Sequence, residues 1–283
     1  MSTSNQVDGA REREADLPRR QVPIGVRQRR DSIRERVSSA GHVRIEDLVK
    51  EHGVSLMTVH RDLDALERAG WLRKVRGAAT AEPSTVFHGD VDHRMRVMMA
   101  EKREIARAAV SLVQPGQAVA LDDSTTALEV ARLLVGFDPL TVVTNFLPTM
   151  QVLAGGTGID LIGLGGAYYP AYGAFLGPQT VEAIRPLHTD LLLLSTTAIT
   201  RAACFHQSQD TVMVKRALME TTAQRVLLAD HGKFTRRGLH RLAMVAEFDL
   251  VIVDSQTDTD VVTELRDAGA SVMVAEPVGS TSQ

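Results

Sequence analysis

Arg44-Ile45-Glu46-Asp47-Leu48-Val49-Lys50-Glu51-His52-Gly53-Val54-Ser55-Leu56-Met57-Thr58-Val59-His60-Arg61-Asp62-Leu63-Asp64-Ala65-Leu66-Glu67-Arg68-Ala69-Gly70-Trp71-Leu72 reads as two short helices joined by a tight turn. Ile45, Leu48 and Val49 fall on one helical stripe, and Gly53 ends that helix where a left-handed residue costs least. Ser55 caps the second helix. Leu56, Val59, Leu63 and Leu66 would face its core side, which turns Met57, Thr58 and Arg61 outward near its start. A recognition helix presents side chains to the major groove of DNA in this way. Arg44, Ser55, Met57, Thr58, His60 and Arg61 are the candidate contacts. An ordinary helical hairpin is the alternative.

On the N-terminal side, residues 24–39 place Val26, Ile33 and Val37 on one stripe among many arginines, a first helix whose positive face would track the DNA backbone. Residues 1–23 are polar, arginine-rich and without periodicity, and read as a disordered arm, either solvated or touching DNA. On the C-terminal side, Trp71 to Gly77 suggests a strand, with Thr85-Val86-Phe87 as its possible partner. That would make 24–82 a winged domain with Lys74 and Arg76 on the wing. Residues 83–97 read as a linker.

The chain is 283 residues long with net charge -3, so overall charge does not argue for nucleic acid. Its distribution does: the first 80 residues carry 16 Lys and Arg against 12 Asp and Glu, the remainder 16 against 23. A basic head on an acidic body suits DNA binding. One cysteine excludes an intrachain disulfide. With no apolar leader and no run of about 18 apolar residues, a cytoplasmic location without membrane contact is expected.

From Met98 to about 277, short apolar runs alternate with helical patterns: 118–121, 140–144, 159–164, 190–194, 225–229, 249–253 and 271–275. They describe a mostly parallel, Rossmann-like α/β domain with helices on both faces. In such sheets ligands bind beyond the carboxyl ends of the strands. Those ends read Asp122-Asp123-Ser124-Thr125-Thr126, Thr144-Asn145, Gly165-Gly166, Ser195-Thr196-Thr197 and Asp230-His231-Gly232-Lys233. Hydroxyls and backbone N–H groups at a helix start cradle an anion, and Lys233 adds a cation. Gly163 to Gly173 reads as a movable loop beside this edge. Turn chemistry alone is the alternative for each end.

Val54-Ser55-x-x-Thr58-Val59-x-Arg61-Asp62-Leu63-x-x-Leu66-Glu67-x-x-Gly70-x-Leu72 resembles the DNA-binding signature of the DeoR family of bacterial transcriptional regulators. His60 stands where that family usually has a second arginine, and Arg76-Gly77-Ala78-Ala79 replaces its His-Gly-Gly-Ala. Asp122-x-Ser124-Thr125-Thr126, Thr144-Asn145, Gly165-Gly166, Lys215-Arg216 and Asp230-x-x-Lys233-Phe234 are similar to the family's effector domain. The likeness covers about residues 24–275. It implies a winged helix-turn-helix domain followed by an α/β domain like ribose-5-phosphate isomerase, which commonly senses phosphorylated sugars. It also implies repression relieved by effector. Asp122, Ser124, Thr125, Thr126, Asn145, Gly165, Gly166, Thr197, Lys215, Asp230 and Lys233 are the expected effector residues. The family usually has glycine at Ser124, and Asp123 beside it would oppose a phosphate.

The expected partners are therefore operator DNA and a small-molecule effector, with no cofactor. A palindromic operator implies a homo-oligomer, a dimer or tetramer. The other reading is a sugar-phosphate isomerase using Asp122, Asp230 and Lys233. It leaves a groove-reading helix without purpose, so a non-enzyme is expected. His206, His231 and His240 lack zinc spacing.

Overall fold

The computed structural model describes residues 25–40, 42–68, 71–80 and 91–277. The N-terminal arm and the Thr85-Val86-Phe87 segment lie outside them. The head runs α1 (Val26–Ala40), β1 (His42–Arg44), α2 (Ile45–His52), α3 (Leu56–Arg68), β2 (Arg73–Val75) and β3 (Ala78–Thr80). Gly53 takes the left-handed conformation, φ 61°, and its N–H donates to the Val49 carbonyl at 3.0 Å. Ser55 Oγ accepts from the Thr58 amide at 3.2 Å, which caps α3.

Three expectations for the head are corrected. Leu56 is 53% exposed, so Val59, Leu63 and Leu66 alone form the buried stripe of α3 with Ile33, Val37 and Leu48 beneath it. Leu56 sits in the first turn, ahead of the point where α3 meets the core. Val26 is likewise exposed at the start of α1. The partner of β2 is β3, reached through the Arg76-Gly77 turn, and β3 also pairs with β1. Gly77 has φ +74°, which lets the chain reverse in two residues.

After α4 (Val91–Arg94), the body runs α5 (Met99–Val110), β4 (Ala118–Leu121), α6 (Thr125–Leu134), β5 (Leu140–Thr144), α7 (Leu147–Leu153) and β6 (Ile159–Gly163). It continues with β7 (Ala167–Tyr169), β8 (Ala174–Leu176), α8 (Pro178–Ile184), β9 (Thr189–Ser195), β10 (Ala198–Thr200), β11 (Ala203–His206) and α9 (Gln209–Glu220). Last come β12 (Thr222–Ala229), β13 (His240–Met244), β14 (Leu250–Val253), α10 (Thr259–Asp267) and β15 (Val272–Val274).

The seven apolar runs form one parallel sheet, ordered β15-β14-β12-β9-β4-β5-β6. Both faces are covered, which explains the run of leucines in β9. Leu191 and Leu193 pack with Ile105, Ala109 and Leu134, whereas Leu192 and Leu194 pack with Phe146, Ile184 and Val214. From β4 the chain moves outward through β5 and β6, then returns to lay β9 on the other side of β4. That reversal puts a crevice between the ends of β4 and β9.

Two small antiparallel sheets, β7-β8 and β10-β11-β13, have no counterpart in the sequence reading. Gly163 to Gly173 is not a free loop. It enters the β7-β8 hairpin, Gly173 donates to Tyr169, and a bridge joins Ala174 to Phe146.

Candidate functional site

The head presents α3 outward. Met57 is 62% exposed, Arg61 is exposed, and Thr58 and His60 are half-buried on the same side. Arg44 is exposed at the end of β1, and Arg76 is exposed at the wing tip. Lys74 differs from expectation: its ammonium pairs with Asp64 at 2.5 Å, so its charge is spent within the head. Three of the five arginines of α1 turn inward, while Arg27 and Arg36 are exposed. Arg29 Nε and Arg30 Nε lie 2.6 and 2.8 Å from Asp62, and Arg34 stacks 3.9 Å over the Trp71 ring. They brace α1 against α3 instead of lining DNA.

In the body, Ser124, Thr125, Thr126, Thr197, Lys215, Asp230 and Lys233 line one cavity at the β4/β9 crevice, with Ser195, Thr196, His206, Arg94, Lys102 and Arg236. Ser124 Oγ accepts from the Ala127 amide at 3.0 Å and begins α6. A serine here therefore caps the helix. Asp122 lies directly behind. Its carboxylate accepts from Ser124 N at 3.0 Å and from Ser195 N at 2.8 Å, stitching β4 to β9.

Lys215 of α9 bonds Asp122 and lies 2.7 Å from Asp123 Oδ1. Burial alone would lower the Lys215 ammonium, but Asp122 and Asp123 outweigh it and hold it above its ordinary value. Conversely burial alone would raise Asp123, and Lys215, His206 and Arg94 hold it below. The negative charge of Asp123 is thus paired inside the fold, with one ammonium shared between two carboxylates. His206 Nδ1 accepts from Ser208 N at 3.1 Å; burial first, then Lys215, push the imidazole down to about 3, so it is neutral at physiological pH.

The opposite wall is cationic. Lys102, Lys233, Arg94 and Arg236 surround one carboxylate, Asp230, whose Oδ2 is 3.6 Å from Lys233 Nζ. Burial would raise Asp230, but Lys233, Arg236 and Lys102 more than compensate and keep it ionised. Burial lowers Lys233 to about 8, and burial with Lys233 beside it lowers Lys102 to about 7. Such a wall favours an anion, because each added negative charge relieves mutual repulsion among the cations.

Asn145, Gly165 and Gly166 are not brought to this cavity. Asn145 Nδ2 donates to the Phe175 carbonyl at 3.0 Å, and the Gly165 carbonyl accepts from Thr180 Oγ1 at 2.8 Å. A Cβ on Gly166 would strike Thr180 Oγ1, so that glycine serves helix packing. Ser195 and Thr196, read as part of a strand end, join Thr197 here, whereas sequence reasoning missed Arg94, Lys102, Arg236 and His206 at this site. Arg236, one turn beyond Lys233, and Lys102, on the inward side of α5, carried a signal. Arg94 carried none.

A groove-reading head joined to a pocket-bearing α/β domain defines a DNA-binding transcriptional regulator with a small-molecule sensor. Residues 29–85 match the DeoR-like helix-turn-helix domain and residues 97–255 the DeoR C terminal sensor domain, so the chain belongs to the DeoR family. It is 32% identical over 218 residues to the transcriptional repressor AccR of Agrobacterium fabrum, covering 76% of this chain and 84% of that one. It is 31% identical over 222 residues to the glycerol-3-phosphate regulon repressor of Haemophilus influenzae, covering 78% and 86%. Ribose 5-phosphate isomerase A of Methanocaldococcus jannaschii aligns at 15% identity over 47% of this chain and 53% of that one, with a TM-score of 0.35. That likeness is too low to carry an argument. Among the described residues no helix is long and apolar enough to cross a membrane, and no group of His, Cys, Asp and Glu could hold a metal.

Proposed function

We propose that this protein is a cytoplasmic repressor of a carbohydrate-metabolism operon that is released from its operator by a phosphorylated sugar or related metabolite. The observation that carries this reading is the two-sided pocket. Lys233, Lys102, Arg94 and Arg236 supply positive charge for a phosphate, and Thr126, Thr197 and Ser124 supply neutral hydroxyls for a polyol. One recognition helix reads one half-site, so the working form is a homo-oligomer, a dimer or tetramer.

The carboxylates an isomerase would need are already committed: Asp122 and Asp123 to Lys215, and Asp230 to Lys233. This supports a sensor that does not turn its ligand over. Arg44, Ser55, Met57, Thr58, His60, Arg61 and Arg76 are the proposed DNA-facing set. Calorimetry on matched pairs of sugar and sugar phosphate tests the effector class. The phosphorylated member binds more tightly by at least about tenfold, one charge-assisted hydrogen bond's worth. Equal affinities would reject a phosphate subsite.

A further inference from the structure

The cavity has a volume of about 30 Å³, room for a water or two and not for a sugar phosphate. Something must move before an effector enters. Three of the lining residues, Arg94, Val97 and Met98, belong to one short segment that forms part of the cavity wall. Arg94 closes α4, and Met98 is a non-glycine residue at φ 55°, a sparsely populated conformation that stores strain at the base of the segment.

The strap is tied down by the pocket's own donors. Lys102 Nζ donates to the Arg94 carbonyl and, at 2.7 Å, to the Val97 carbonyl, while Thr125 Oγ1 donates to the Arg94 carbonyl at 3.2 Å. The Arg94 guanidinium itself donates to the Tyr172 carbonyl at 3.0 Å and the Asp123 carbonyl at 3.4 Å. An anion arriving in the pocket competes for Lys102 and Thr125 and attracts Arg94. It would loosen two tethers and engage a third.

The residues around Arg94 face the other way. His93 is buried edge-on against Trp71 of the head, ring centroids 5.4 Å apart at 79°. Asp92 and Arg96 reach Arg27 and Asp31 of α1 at 3.5 and 4.0 Å. These two ion pairs are at least half-exposed on one partner and weak, so the buried His93–Trp71 contact is the better candidate for carrying a movement between α4 and the head. The first part of the strap, Val91 to Arg96, falls between the two segments matched to the family, and Val97 and Met98 open the second.

We infer that Arg94 is an anion-binding residue of the effector pocket, carried on a strap that must move for the effector to enter, and that this movement reaches the DNA-binding domain through the His93–Trp71 contact. The inference rests on the anionic-effector reading above. It locates the two-state element that linkage between the sites requires.

Trp71 is the sole tryptophan of the chain, so its emission reports this junction directly. The experiment titrates the full-length protein with inorganic phosphate and with ribose 5-phosphate, following both heat and Trp71 emission. Wild type binds, and ribose 5-phosphate shifts the emission. Arg94→Gln weakens both anions by about tenfold or more, whereas Arg94→Lys, which keeps the charge, stays within a few-fold of wild type. His93→Ala keeps wild-type affinity and loses the dependence of Trp71 emission on ligand. Undiminished binding by Arg94→Gln overturns the assignment of Arg94 and leaves the pocket standing. Emission unmoved at saturating ligand overturns the transmission. Failure of wild type to bind either anion removes the anionic-effector reading, and the strap with it.

Discussion

Lys215 Nζ lies 2.7 Å from Asp123 Oδ1 and also bonds Asp122, so one buried ammonium pairs with both carboxylates at the end of β4. Asp122 in turn holds the amides of Ser124 and Ser195. Lys215→Ala leaves two buried carboxylates without their ion-pair partner and is expected to cost about 3–5 kcal/mol, as when one partner of a buried ion pair is removed. Urea unfolding followed by circular dichroism measures it. A change under about 1 kcal/mol would mean that water reaches the pair and that Lys215 serves the ligand alone.

Arg61 and Asp62 are neighbours in sequence with opposite duties. Arg61 is exposed on α3, and its replacement by Ala should cost roughly 1–3 kcal/mol on a cognate site and much less on random DNA. Equal losses on both DNAs, with a salt slope smaller by about one, would make it a phosphate contact instead. Asp62 is buried between Arg29 and Arg30. Asp62→Ala should destabilise the head by about 3 kcal/mol and weaken binding to every DNA alike. A variant of normal stability that loses only sequence preference would contradict the bracing role.

The cationic wall gives a pH dependence. Lys233 and Lys102 are pushed down to about 8 and about 7, so both carry full charge only below neutrality. Affinity for sulfate, whose own charge is fixed, should be highest near pH 6.5 and fall as pH rises through roughly 7 to 9. A bound anion restores the protons, so binding near pH 8 takes them up and its heat varies with the buffer. In the unliganded protein the sign is reversed. The penalty of burying charged lysines is complete below about pH 7 and is relieved as pH rises toward the ordinary lysine value, so these groups make stability increase with pH there. Sulfate affinity that is flat from about pH 6.5 to 9 would show that neither lysine meets the ligand.

The strands of the main sheet were legible because the central ones are buried on both faces and read as apolar runs between helices, as Leu191 to Leu194 illustrates, while the edge strands β6 and β15 are partly exposed but keep short apolar runs. Gly53 and Ser55 likewise announce their turn and cap. The β7-β8 hairpin was not legible, since Ala167–Tyr169 and Ala174–Leu176 are three-residue strands too short to display a period. At the site, residues following a main strand could be placed by topology alone. Arg94 could not, because it reaches the crevice from outside the sheet, and no period or motif marks a residue whose position depends on how α4 docks. Gly165 and Gly166 misled for the converse reason: both serve Thr180 of α8, Gly166 by its missing side chain and Gly165 by its carbonyl.

The central claim is that the crevice controls the head. Its most direct measurement is a titration of DNA selected by the protein from a random pool, with and without saturating sugar phosphate, on wild type and Lys233→Ala. The account predicts that at least one sugar phosphate shifts the wild-type curve by about 5- to 150-fold and leaves the Lys233→Ala curve where it was. A sugar phosphate that binds, as seen by calorimetry, yet leaves wild-type DNA affinity unchanged would contradict it.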